Sequence, residues 1–562
     1  MFWKSARNMY IVRRQGAEPM QFTLNGKTTT YSGDPELPLY DYLRNEAGLT
    51  SVKKGCSGEG ICGYCTVQLD QKAALSCHTK MKDIEGGTVT TIEGWESHVQ
   101  NAFADAFLEK GGVQCGYCTP GIVMQAKLLL DKNPNPTREE VVKNLNRSLC
   151  RCTGYHKIVD SILLAAEAIR ERKEIPRGDS TGKVGNRLRK YNARDLVLGF
   201  RPFVGDLKRD GMQFAALKFS DHPRARVLSI NASKAQKLEG VTRVFTAKDI
   251  PGDRVIGLIT QDWPLMVREG EETRYIGDVL AGVVAKTEAT ARKAVGLIEI
   301  FYDVLDPVTD IFAAMKPEAP KVHKSGNILS DCHVKRGDIE GALKASAFVT
   351  KGRYTTQRIE HAFGEPEACL AEPWSHEGKP GVKVFSQGQG AYEDRKQIAK
   401  LLGLPEAQVN VLQIETGGGF GGKEDLSVQG HAALFAYLLK APVKIILDRA
   451  ESIRMHPKRH PFVMDYALGC DRNGKLTALK AEIFGDTGAY ASVGAKVVER
   501  AVGHAAGAYI VPNVDIRGLA VYTNNLPSGA MRGFGVNQVT FAVESCVDDL
   551  CKQGGFDRWQ FR

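Results

Sequence analysis

The cysteines are the sequence feature that most restricts how this chain can fold. Eight of the 13 lie between Cys56 and Cys152, and the other five are scattered over the remaining 410 residues. The N-terminal segment MFWKSARNMYIVRRQG contains no apolar run of about 7–15 residues and no small-residue cleavage site. We therefore expect a reducing, cytoplasmic setting, in which clustered thiols bind metal instead of forming disulfides.

Composition and charge exclude several classes of protein. The chain has 562 residues, of which 43% are hydrophobic and 25% charged, so it can bury several cores and is not expected to be disordered. No stretch approaches about 18 uncharged apolar residues, which argues against a membrane span. Lysine and arginine exceed the acidic residues by 75 − 65 = 10. Without a basic stripe interleaved with aromatics, this mild excess predicts no nucleic-acid partner.

The first cysteine set is Cys56, Cys62, Cys65 and Cys77, with three members inside the glycine-rich run GCSGEGICGYC. Glycine lets a backbone wrap closely, so that its N–H groups can point at sulfur atoms. The first gap is five residues, one longer than in the plant-type ferredoxin spacing C-x4-C-x2-C. The pattern favours a [2Fe–2S] cluster. The alternative is a four-cysteine zinc site, although zinc sites rarely use such a glycine-rich loop.

The second cysteine set is Cys115, Cys118, Cys150 and Cys152, a C-x2-C pair followed by a C-x-C pair. Residues i and i+2 of a helix do not face each other, so the C-x-C pair must lie where a helix stops, and Gly154 could terminate it. Alone, this set would also fit zinc. With a ferredoxin-like loop about 40 residues upstream, a second [2Fe–2S] cluster is favoured.

Residues 20–96 are predicted to form short strands and turns. Residues 20–31 indicate a hairpin with Asn25-Gly26 as its turn. Residues 37–48 indicate one short amphipathic helix that ends at a glycine. Residues 66–70 alternate between polar and apolar side chains, which predicts a strand.

The rest of the chain first looks helical and then mixed. Residues 97–170 predict helices, one of them opened by a capping box of Thr137 and Glu140. Residues 171–195 are polar and contain glycine, which predicts a linker. After it, strands and helices mix, and residues 277–304 read as strand, helix, strand.

Together, CSGEGICGYC…C and QCGYCTPG…CRCTGY resemble the N-terminal iron–sulfur part of the xanthine dehydrogenase/aldehyde oxidoreductase family of molybdenum hydroxylases. The resemblance implies a β-grasp ferredoxin domain that holds one [2Fe–2S] cluster at the first cysteine set. It implies a helical-bundle domain that holds the other cluster, nearer to molybdenum, at the second set. It also implies that Gln114 lies beside the pterin.

The resemblance continues towards the C-terminus. The segments TGGGFGGKED, DTGAYAS, VERAVGHAAGAY and AMRGFG, in this order, are similar to the family's molybdopterin-binding region. A glycine-rich run can hold an anionic ligand by backbone N–H groups, although such a run alone is common. The resemblance implies that Gly419, Phe420 and Arg532 approach the molybdenum cofactor. The expected fold class is therefore multidomain α+β, with mixed α/β molybdopterin-binding domains after the two cluster domains.

The predicted domain organisation combines these observations in chain order. It comprises an N-terminal extension at 1–19, a 2Fe-2S ferredoxin-type domain at 20–97, a 2Fe-2S-binding helical domain at 98–172, a linker at 173–194, an aldehyde oxidase/xanthine dehydrogenase a/b hammerhead domain at 195–310, and the first half of a molybdopterin-binding domain at 311–562.

Three residues bear on the substrate. By resemblance, members that hydroxylate purines carry a glutamate after GGGFGGK and an arginine in an ERA segment, and this chain has Glu424 and Arg500 there. The resemblance assigns both of them catalytic and substrate-binding roles, because a carboxyl can shuttle protons and a guanidinium can stabilise negative charge on an oxo group. Phe534 would offer an aromatic face to the heterocycle. The alternatives are a surface ion pair for Glu424 and a solvated helix arginine for Arg500.

One position departs from the family pattern. Many purine-hydroxylating relatives have glutamine before Glu-His, whereas this chain has Ile359, which cannot hydrogen-bond a molybdenum oxo ligand. This departure keeps open an aldehyde or another N-heterocycle, such as nicotinate, as substrate. His361 and Glu365 are expected in the core or behind the site. Three later histidines, His456, His460 and His504, show no metal-ligand spacing. The five cysteines outside the two sets are expected to be buried small hydrophobes: Cys332, Cys369, Cys470, Cys546 and Cys551.

The resemblance also predicts partners. Relatives continue beyond the RGFG segment into a second molybdopterin-binding half with a glutamate general base, and this sequence ends at Arg562. We expect a split enzyme in which another chain completes the molybdenum site and FAD, if used, belongs to a separate subunit. A fragment of a longer protein is the alternative.

The predicted function is that of a molybdenum hydroxylase subunit, a xanthine dehydrogenase-like oxidoreductase. It would hydroxylate a purine such as xanthine or hypoxanthine and pass electrons from molybdenum through two [2Fe–2S] clusters, with the cofactors performing the redox chemistry. One alternative is an aldehyde or nicotinate-type oxidoreductase of the same family. Another is an electron-transfer subunit with no complete active site of its own.

Overall fold

The computed structural model describes residues 19–178, 181–186 and 188–562. These residues divide into two compact units. The first runs to Asp206 and also includes Ala362–Pro366 and Glu415–Gly418. The second comprises Leu207–His361, Glu367–Ile414 and Gly419–Arg562. Among the described residues, no helix is both long and apolar enough to cross a membrane.

The first unit begins with a five-stranded mixed sheet that one short helix covers. Its strands, in spatial order, are Lys27–Tyr31, Met20–Leu24, Thr88–Thr90, Thr66–Leu69 and Lys72–Leu75. The covering helix is α-helical over Leu39–Asp41 and widens to a π-helix over Tyr42–Glu46. Leu39 and Leu43 are fully buried in the core between helix and sheet. The β-grasp prediction is confirmed by this arrangement.

Two hairpins close the edges of this sheet. The predicted turn at Asn25-Gly26 is confirmed, since both residues have positive φ and join antiparallel strands. The single strand predicted at residues 66–70 is wrong in extent. Asp70 and Gln71 also have positive φ and turn the chain into a second strand, so Thr66–Leu75 is a hairpin.

Helices dominate the remainder of the first unit, as predicted. The α-helices are Ser97–Lys110, Thr119–Leu130, Arg138–Asn144, His156–Glu171 and Ala193–Leu198. The short 3-10 turns are Met81–Ile84, Ile92–Gly94, Leu145–Arg147 and Val204–Asp206. The capping box is confirmed, because the Thr137 side chain accepts a hydrogen bond from the Glu140 N–H. These helices share one hydrophobic core built around Phe103, Phe107 and Ile162.

The predicted linker and N-terminal extension are only partly described. Residues 1–18, 179, 180 and 187 lie outside the described residues. The described residues between Glu171 and Ala193 form no helix or strand, which agrees with a polar connector. Arg189 pairs with Asp105 at 2.9 Å and Glu109 at 3.1 Å, so part of this connector is held to the helix Ser97–Lys110.

The second unit contains a seven-stranded mixed sheet. Its strands, in spatial order, are Val409–Gln413, Lys379–Ser386, Ala368–His376, Val443–Ile446, Gln213–Phe219, Val279–Ala285 and Val241–Thr246. The helix Val428–Leu439 is apolar almost all round and is therefore buried against this sheet. Phe435 on this helix stacks on Phe245 at 4.6 Å, and its ring fills the space beside Gly282.

Smaller elements surround this sheet. The predicted strand, helix, strand of residues 277–304 is confirmed as Val279–Ala285, Glu288–Val295 and Glu299–Val304. The last of these strands joins a three-stranded sheet in the order Glu272–Thr273, Ala225–Asn231, Glu299–Val304. Val255–Ile256 and Trp263–Pro264 form a two-stranded ribbon.

A five-stranded sheet occupies the rest of the second unit. Its strands, in spatial order, are Ile328–Arg336, Asn513–Tyr522, Leu476–Gly488, Phe462–Cys470 and Phe348–Thr355. The helix Gly494–His504 packs on it through Val497, Val498, Ala501 and Val502, which leaves Arg500 on the exposed face. The remaining helices are Ser233–Gln236, Ile311–Ala314, Ile339–Ala345, Ala391–Leu402, Arg449–Met455, Val536–Gly554 and Arg558–Phe561, with 3-10 turns at Ala247–Asp249 and Glu406–Gln408.

Candidate functional site

The structure brings the first cysteine set together: Cys56, Cys62 and Cys65 lie in the loop before the strand Thr66–Leu69, and Cys77 follows the strand Lys72–Leu75. Cys62 hydrogen-bonds Cys56, and Cys65 hydrogen-bonds Cys77. The hydrogen bond from the Cys62 thiol lowers the pKa of Cys56 and raises that of Cys62. Backbone N–H groups, including that of Gly58, also donate to the Cys56 sulfur. The thiolate form of Cys56 is therefore stabilised at the expense of that of Cys62.

The second cysteine set is equally compact. The Sγ atoms of Cys115 and Cys152 are 3.5 Å apart, and Cys150 hydrogen-bonds both Cys118 and Cys152. These hydrogen bonds lower the pKa of Cys150, since they stabilise its thiolate form. As predicted, Cys115 and Cys118 precede a helix, and the C-x-C pair follows the end of another.

Two details of the second set were not expected. The helix Arg138–Asn144 ends before the C-x-C pair, so Gly154, with φ of 68°, does not terminate it. Tyr155 was missed by sequence reasoning. Its hydroxyl accepts a hydrogen bond from the Cys150 N–H at 2.8 Å and donates to Ser148 O at 3.1 Å. An aromatic side chain five residues from its partner gives no periodic signal that could have identified this contact.

The glycine-rich segment after Ile414 is a tight loop without regular secondary structure until the helix at Val428. Gln389 fixes the shape of this loop through three hydrogen bonds. Its side-chain Oε1 atom accepts from Gly421 N at 3.0 Å and from Lys423 N at 3.3 Å, and its backbone N–H donates to Lys423 O. A Cβ atom at Gly419 would lie 2.4 Å from Gln389 Oε1, so a side chain there would displace the Gln389 amide from the loop. Gln389 lies about 30 residues away in the chain, which explains why sequence reasoning missed it.

Backbone contact joins the two Gly-Phe-Gly segments. The N–H of Arg532 donates to Phe420 O at 2.8 Å. Phe420 has φ of 56° and Phe534 has φ of 51°, in the left-handed region that bulky side chains rarely adopt. Such strain persists only where surrounding structure imposes it, and it is concentrated at functional sites.

Arg500 and Phe534 are brought together as a pair. The Arg500 guanidinium lies 5.9 Å from the centroid of the Phe534 ring, within the range of a cation–π contact. Arg500 is exposed and Phe534 is partly exposed, so both present surface beside the strained Gly-Phe-Gly segment. Of the three residues predicted to contact substrate, these two share one location.

Glu424 lies in a different environment. It is partly buried, and burial raises its pKa. The next residue, Asp425, is buried, which raises its pKa to about 7, and it accepts a hydrogen bond from Ser492 Oγ at 2.7 Å. Asp425 is a further titratable group that sequence reasoning did not single out. Within the described residues, no hydrogen bond or ion pair joins Glu424 to Arg500.

The other predicted residues have simpler settings. Gln114 is exposed and directly precedes Cys115 in the first unit. Arg532 is exposed, and its carbonyl accepts from Arg459 Nη2 at 2.8 Å. Ile359 pairs through its backbone with Arg459. His361 is buried, as expected.

The remaining expectations concern buried groups. Glu365 is also buried, and its carboxylate accepts from Gly417 N at 2.7 Å. Cys369, Cys470, Cys546 and Cys551 are buried as expected, whereas Cys332 is partly exposed. The exposure of Cys332 follows from its position on the outermost strand of the five-stranded sheet.

Four known domain families match successive segments of the chain. Family models match a 2Fe-2S iron-sulfur cluster binding domain at residues 22–87, a [2Fe-2S] binding domain at 91–163, an aldehyde oxidase and xanthine dehydrogenase a/b hammerhead domain at 199–306, and a molybdopterin cofactor-binding domain at 321–562. The nicotinate dehydrogenase large molybdopterin subunit of Eubacterium barkeri is 38% identical over 374 residues, 66% of this chain and 87% of that protein. The chain belongs to the xanthine dehydrogenase/aldehyde oxidoreductase family of molybdenum hydroxylases.

Other members of this family are longer than the chain. A probable xanthine dehydrogenase subunit from Bacillus subtilis (strain 168) is 38% identical over 371 residues, 66% of this chain and 49% of that protein. The solved structure of the aldehyde oxidoreductase from Desulfovibrio gigas superposes with a TM-score of 0.91 at 29% identity, covering 97% of this chain and 62% of that one. The chain thus spans about half to two thirds of these two molybdenum hydroxylases.

Membership in this molybdenum hydroxylase family settles the cofactors. The chain has two [2Fe–2S]-binding domains and a molybdopterin-binding domain, so its cofactors are two [2Fe–2S] clusters and molybdopterin. The donor sets fit them, because each cysteine set offers four adjacent sulfurs, and a glycine-rich run can hold an anionic ligand by backbone N–H groups. The four-cysteine zinc alternative is thereby set aside.

Proposed function

We propose that this chain is the iron–sulfur and molybdopterin-binding part of a hydroxylase that oxidises a purine such as xanthine. The observation that carries the proposal is the Arg500–Phe534 pair beside the strained segment that contacts Phe420. An aromatic face next to a fixed cation suits a planar heterocycle with oxo groups. When bound, the molybdenum cofactor and the two clusters supply the oxygen-transfer and electron-transfer chemistry.

The two cysteine sets would hold the clusters. Cys56, Cys62, Cys65 and Cys77 would bind one, and Cys115, Cys118, Cys150 and Cys152 the other. The convergence of the thiols and the backbone N–H donors at Cys56 supports this assignment. Tyr155 would hold the second set in place through its hydrogen bond to the Cys150 N–H.

The molybdopterin would contact the two Gly-Phe-Gly segments. Gly419 and Phe420 would approach it through the backbone, with Arg532 beside them, and the family resemblance adds Gln114. Gln389 would keep the loop in a binding shape, because it fixes two loop N–H groups at once. The hydrogen bond from Arg532 N to Phe420 O, which joins the two segments, supports this assignment.

Glu424 and Arg500 would act on the substrate. Burial raises the pKa of Glu424, so its carboxyl group keeps its proton to a higher pH than a carboxyl group in water. The protonated carboxyl can donate a hydrogen bond to a ring nitrogen. The Arg500 guanidinium would stabilise negative charge that develops on an oxo group, and Phe534 would face the ring.

A second candidate substrate is a nicotinate-type heterocycle or an aldehyde. Ile359 favours it, since a hydrocarbon side chain stands where many purine-hydroxylating relatives have glutamine. The E. barkeri relative is named a nicotinate dehydrogenase subunit, and it is 38% identical. Arg500 would in that case pair with the nicotinate carboxylate.

We also propose that the second molybdopterin-binding half is supplied by a partner chain. The E. barkeri relative is named a large molybdopterin subunit and is covered to 87% by this chain, which supports such a division between chains. An FAD subunit could then accept electrons from the clusters. Co-purification from a producing cell, followed by identification of the bound chains, tests both partners.

The decisive experiment measures turnover of a substrate panel by the assembled enzyme through dye reduction. We expect purine oxidation to exceed nicotinate and aldehyde oxidation. Glu424→Gln should lower purine turnover by about 10²-fold or more, the usual scale of a lost proton-transfer group. Arg500→Ala should also lower it, with the iron content of both variants unchanged.

Lys496→Ala is the matched control. Lys496 is one turn before Arg500 on the same helix and pairs with Glu499, so its loss should leave purine turnover intact. Full purine turnover by Arg500→Ala would contradict the purine assignment. A preference for nicotinate or an aldehyde would replace it by the second candidate.

A further inference from the structure

Three side chains that no motif connects meet in the second unit. Glu360 and His361 are adjacent in sequence, and His456 lies nearly 100 residues later. One potential ligand atom from each lies within 4.8 Å of the others. The two imidazole rings are 5.4 Å apart between centroids, and both histidines are buried.

Each imidazole is held from behind by hydrogen-bond acceptors. His361 Nε2 lies 2.8 Å from Ala530 O. His456 Nδ1 lies 2.5 Å from Ser452 O and 3.0 Å from Glu367 Oε1. Because these oxygens can only accept, each of these nitrogens carries a proton, and a neutral ring then has its lone pair on the other nitrogen. Metal-binding histidines are typically oriented in this way by carbonyl and carboxylate groups.

The charged groups nearest the cluster are Glu360, Glu367 and Lys458. Lys458 Nζ lies 2.7 Å from Glu360 Oε2, and Glu360 Oε1 lies 2.9 Å from His456 Nε2. Lys423 also acts on Glu367, so with neutral imidazoles the two carboxylates and the two lysines balance, and a metal ion would be held by its ligand bonds and not by excess negative charge. The alternative to a metal ion is a proton on His456 Nε2. The protonated imidazole would then form ion pairs with both Glu360 and Glu367.

We propose that Glu360, His361 and His456 form a binding site for one divalent transition-metal ion, such as Zn²⁺. Two imidazoles and one carboxylate suit zinc and its neighbours, and a water molecule can complete a tetrahedral set. Zinc bonds of about 2.0–2.1 Å separate ligand atoms by roughly 3.3 Å, so Glu360 and His456 need to part only slightly. A quarter of the Glu360 side chain is exposed, which gives an ion access.

None of these three ligands belongs to the cysteine sets or to the residues proposed to contact substrate. The proposal therefore holds whichever substrate the enzyme oxidises. It assigns a metal to ligands from two segments that lie nearly 100 residues apart in the chain and follow no spacing rule.

Equilibrium dialysis against Zn²⁺, followed by metal analysis, tests the proposal on protein whose clusters are filled. The full chain should bind one zinc per molecule, and X-ray absorption should show nitrogen and oxygen ligands without sulfur. Glu360→Gln and His456→Gln should each abolish this binding. Glu367→Gln, at the residue that contacts the Nδ1 side of His456, should weaken zinc affinity by about 10–100-fold.

His431→Gln is the matched control, since His431 is also buried but hydrogen-bonds Ser427 O and Leu265 O instead. It should retain one zinc. No zinc uptake by the full chain, sulfur ligation, or equal uptake by His431→Gln and Glu360→Gln would overturn the proposal. Because Glu360 is partly exposed, its variant is informative even if a buried histidine variant fails to fold.

Discussion

The backbone N–H of Leu149 donates a hydrogen bond to the carbonyl oxygen of Cys62 at 3.0 Å. Cys62 belongs to the first cysteine set, and Leu149 directly precedes Cys150 of the second set. A path of covalent bonds interrupted by this single hydrogen bond therefore joins the two sets. Their relative position depends on how closely the two backbones can approach here.

Gly63 permits this approach, which leads to the first prediction. A Cβ atom at Gly63 would lie 2.2 Å from Arg147 O, and the backbone there has φ of +77°. Gly63→Ala should therefore lower the free energy of unfolding by more than the roughly 1 kcal/mol expected from the left-handed backbone alone. Denaturant unfolding, with iron content measured in parallel, checks this.

Gly86→Ala separates the two causes. Gly86 has φ of +71°, but a Cβ atom there meets nothing within 4 Å. Its variant should show only the backbone effect. Equal losses of stability in both variants would mean that close approach to Arg147 is unimportant.

The two cysteine sets predict distinct losses of iron. Two binuclear clusters require about four iron atoms per chain. Cys77→Ser or Cys152→Ser should each remove about two, because each cluster depends on its own four thiolates. Cys332→Ser, at a partly exposed cysteine outside both sets, should retain all four. Iron analysis with electron paramagnetic resonance would show which cluster signal disappears; loss of both in either variant would argue against independent sites.

Asp425 predicts a pH dependence of stability. Burial raises its pKa from 3.8 to about 7, so the folded state holds this proton more tightly than the unfolded state. Its contribution to stability is fully present below pH of about 4 and is lost as pH rises through about 7. Asp425→Asn should remove this loss, which amounts to at most about 4 kcal/mol at about 1.4 kcal/mol per pKa unit.

Thermal unfolding between pH of about 4 and 8 measures this effect. The introduced asparagine amide can still accept the hydrogen bond from Ser492, so the variant tests charge and not the hydrogen bond. Asp303→Asn, on an exposed strand position, should leave the pH profile unchanged. Parallel profiles for all three proteins would refute the role given to Asp425.

A buried ion pair predicts a large loss of stability in the first unit. Lys53 is 1% exposed, and its Nζ atom lies 2.7 Å from Asp206 Oδ2, while Arg44 pairs with the other oxygen of that carboxylate. Lys53→Met should cost about 3–5 kcal/mol, because it removes one partner from a buried charge. Lys80→Ala breaks only an exposed pair with Glu36 and should change unfolding little. Similar effects of the two substitutions would show that Lys53 is not energetically special.

Local patterns were sufficient for much of the first unit. The turn at Asn25-Gly26 follows from two adjacent residues and the capping box at Thr137 from two residues three apart, and their preferences act within one turn of chain. The strand predicted over residues 66–70 failed at its end. Asp70 and Gln71 form a turn that their hydrophobic pattern does not reveal.

By itself, the sequence determined the family, the two sets of four cysteines and the glycine-rich loop, because these depend on residue types at short, fixed spacings. Only the tertiary structure decided which distant groups meet: Gln389 with Gly421, Arg500 with Phe534, and His456 with Glu360. No spacing rule encodes these pairs. Each is set by where strands and helices pack, and that packing depends on burying apolar surface across the whole chain.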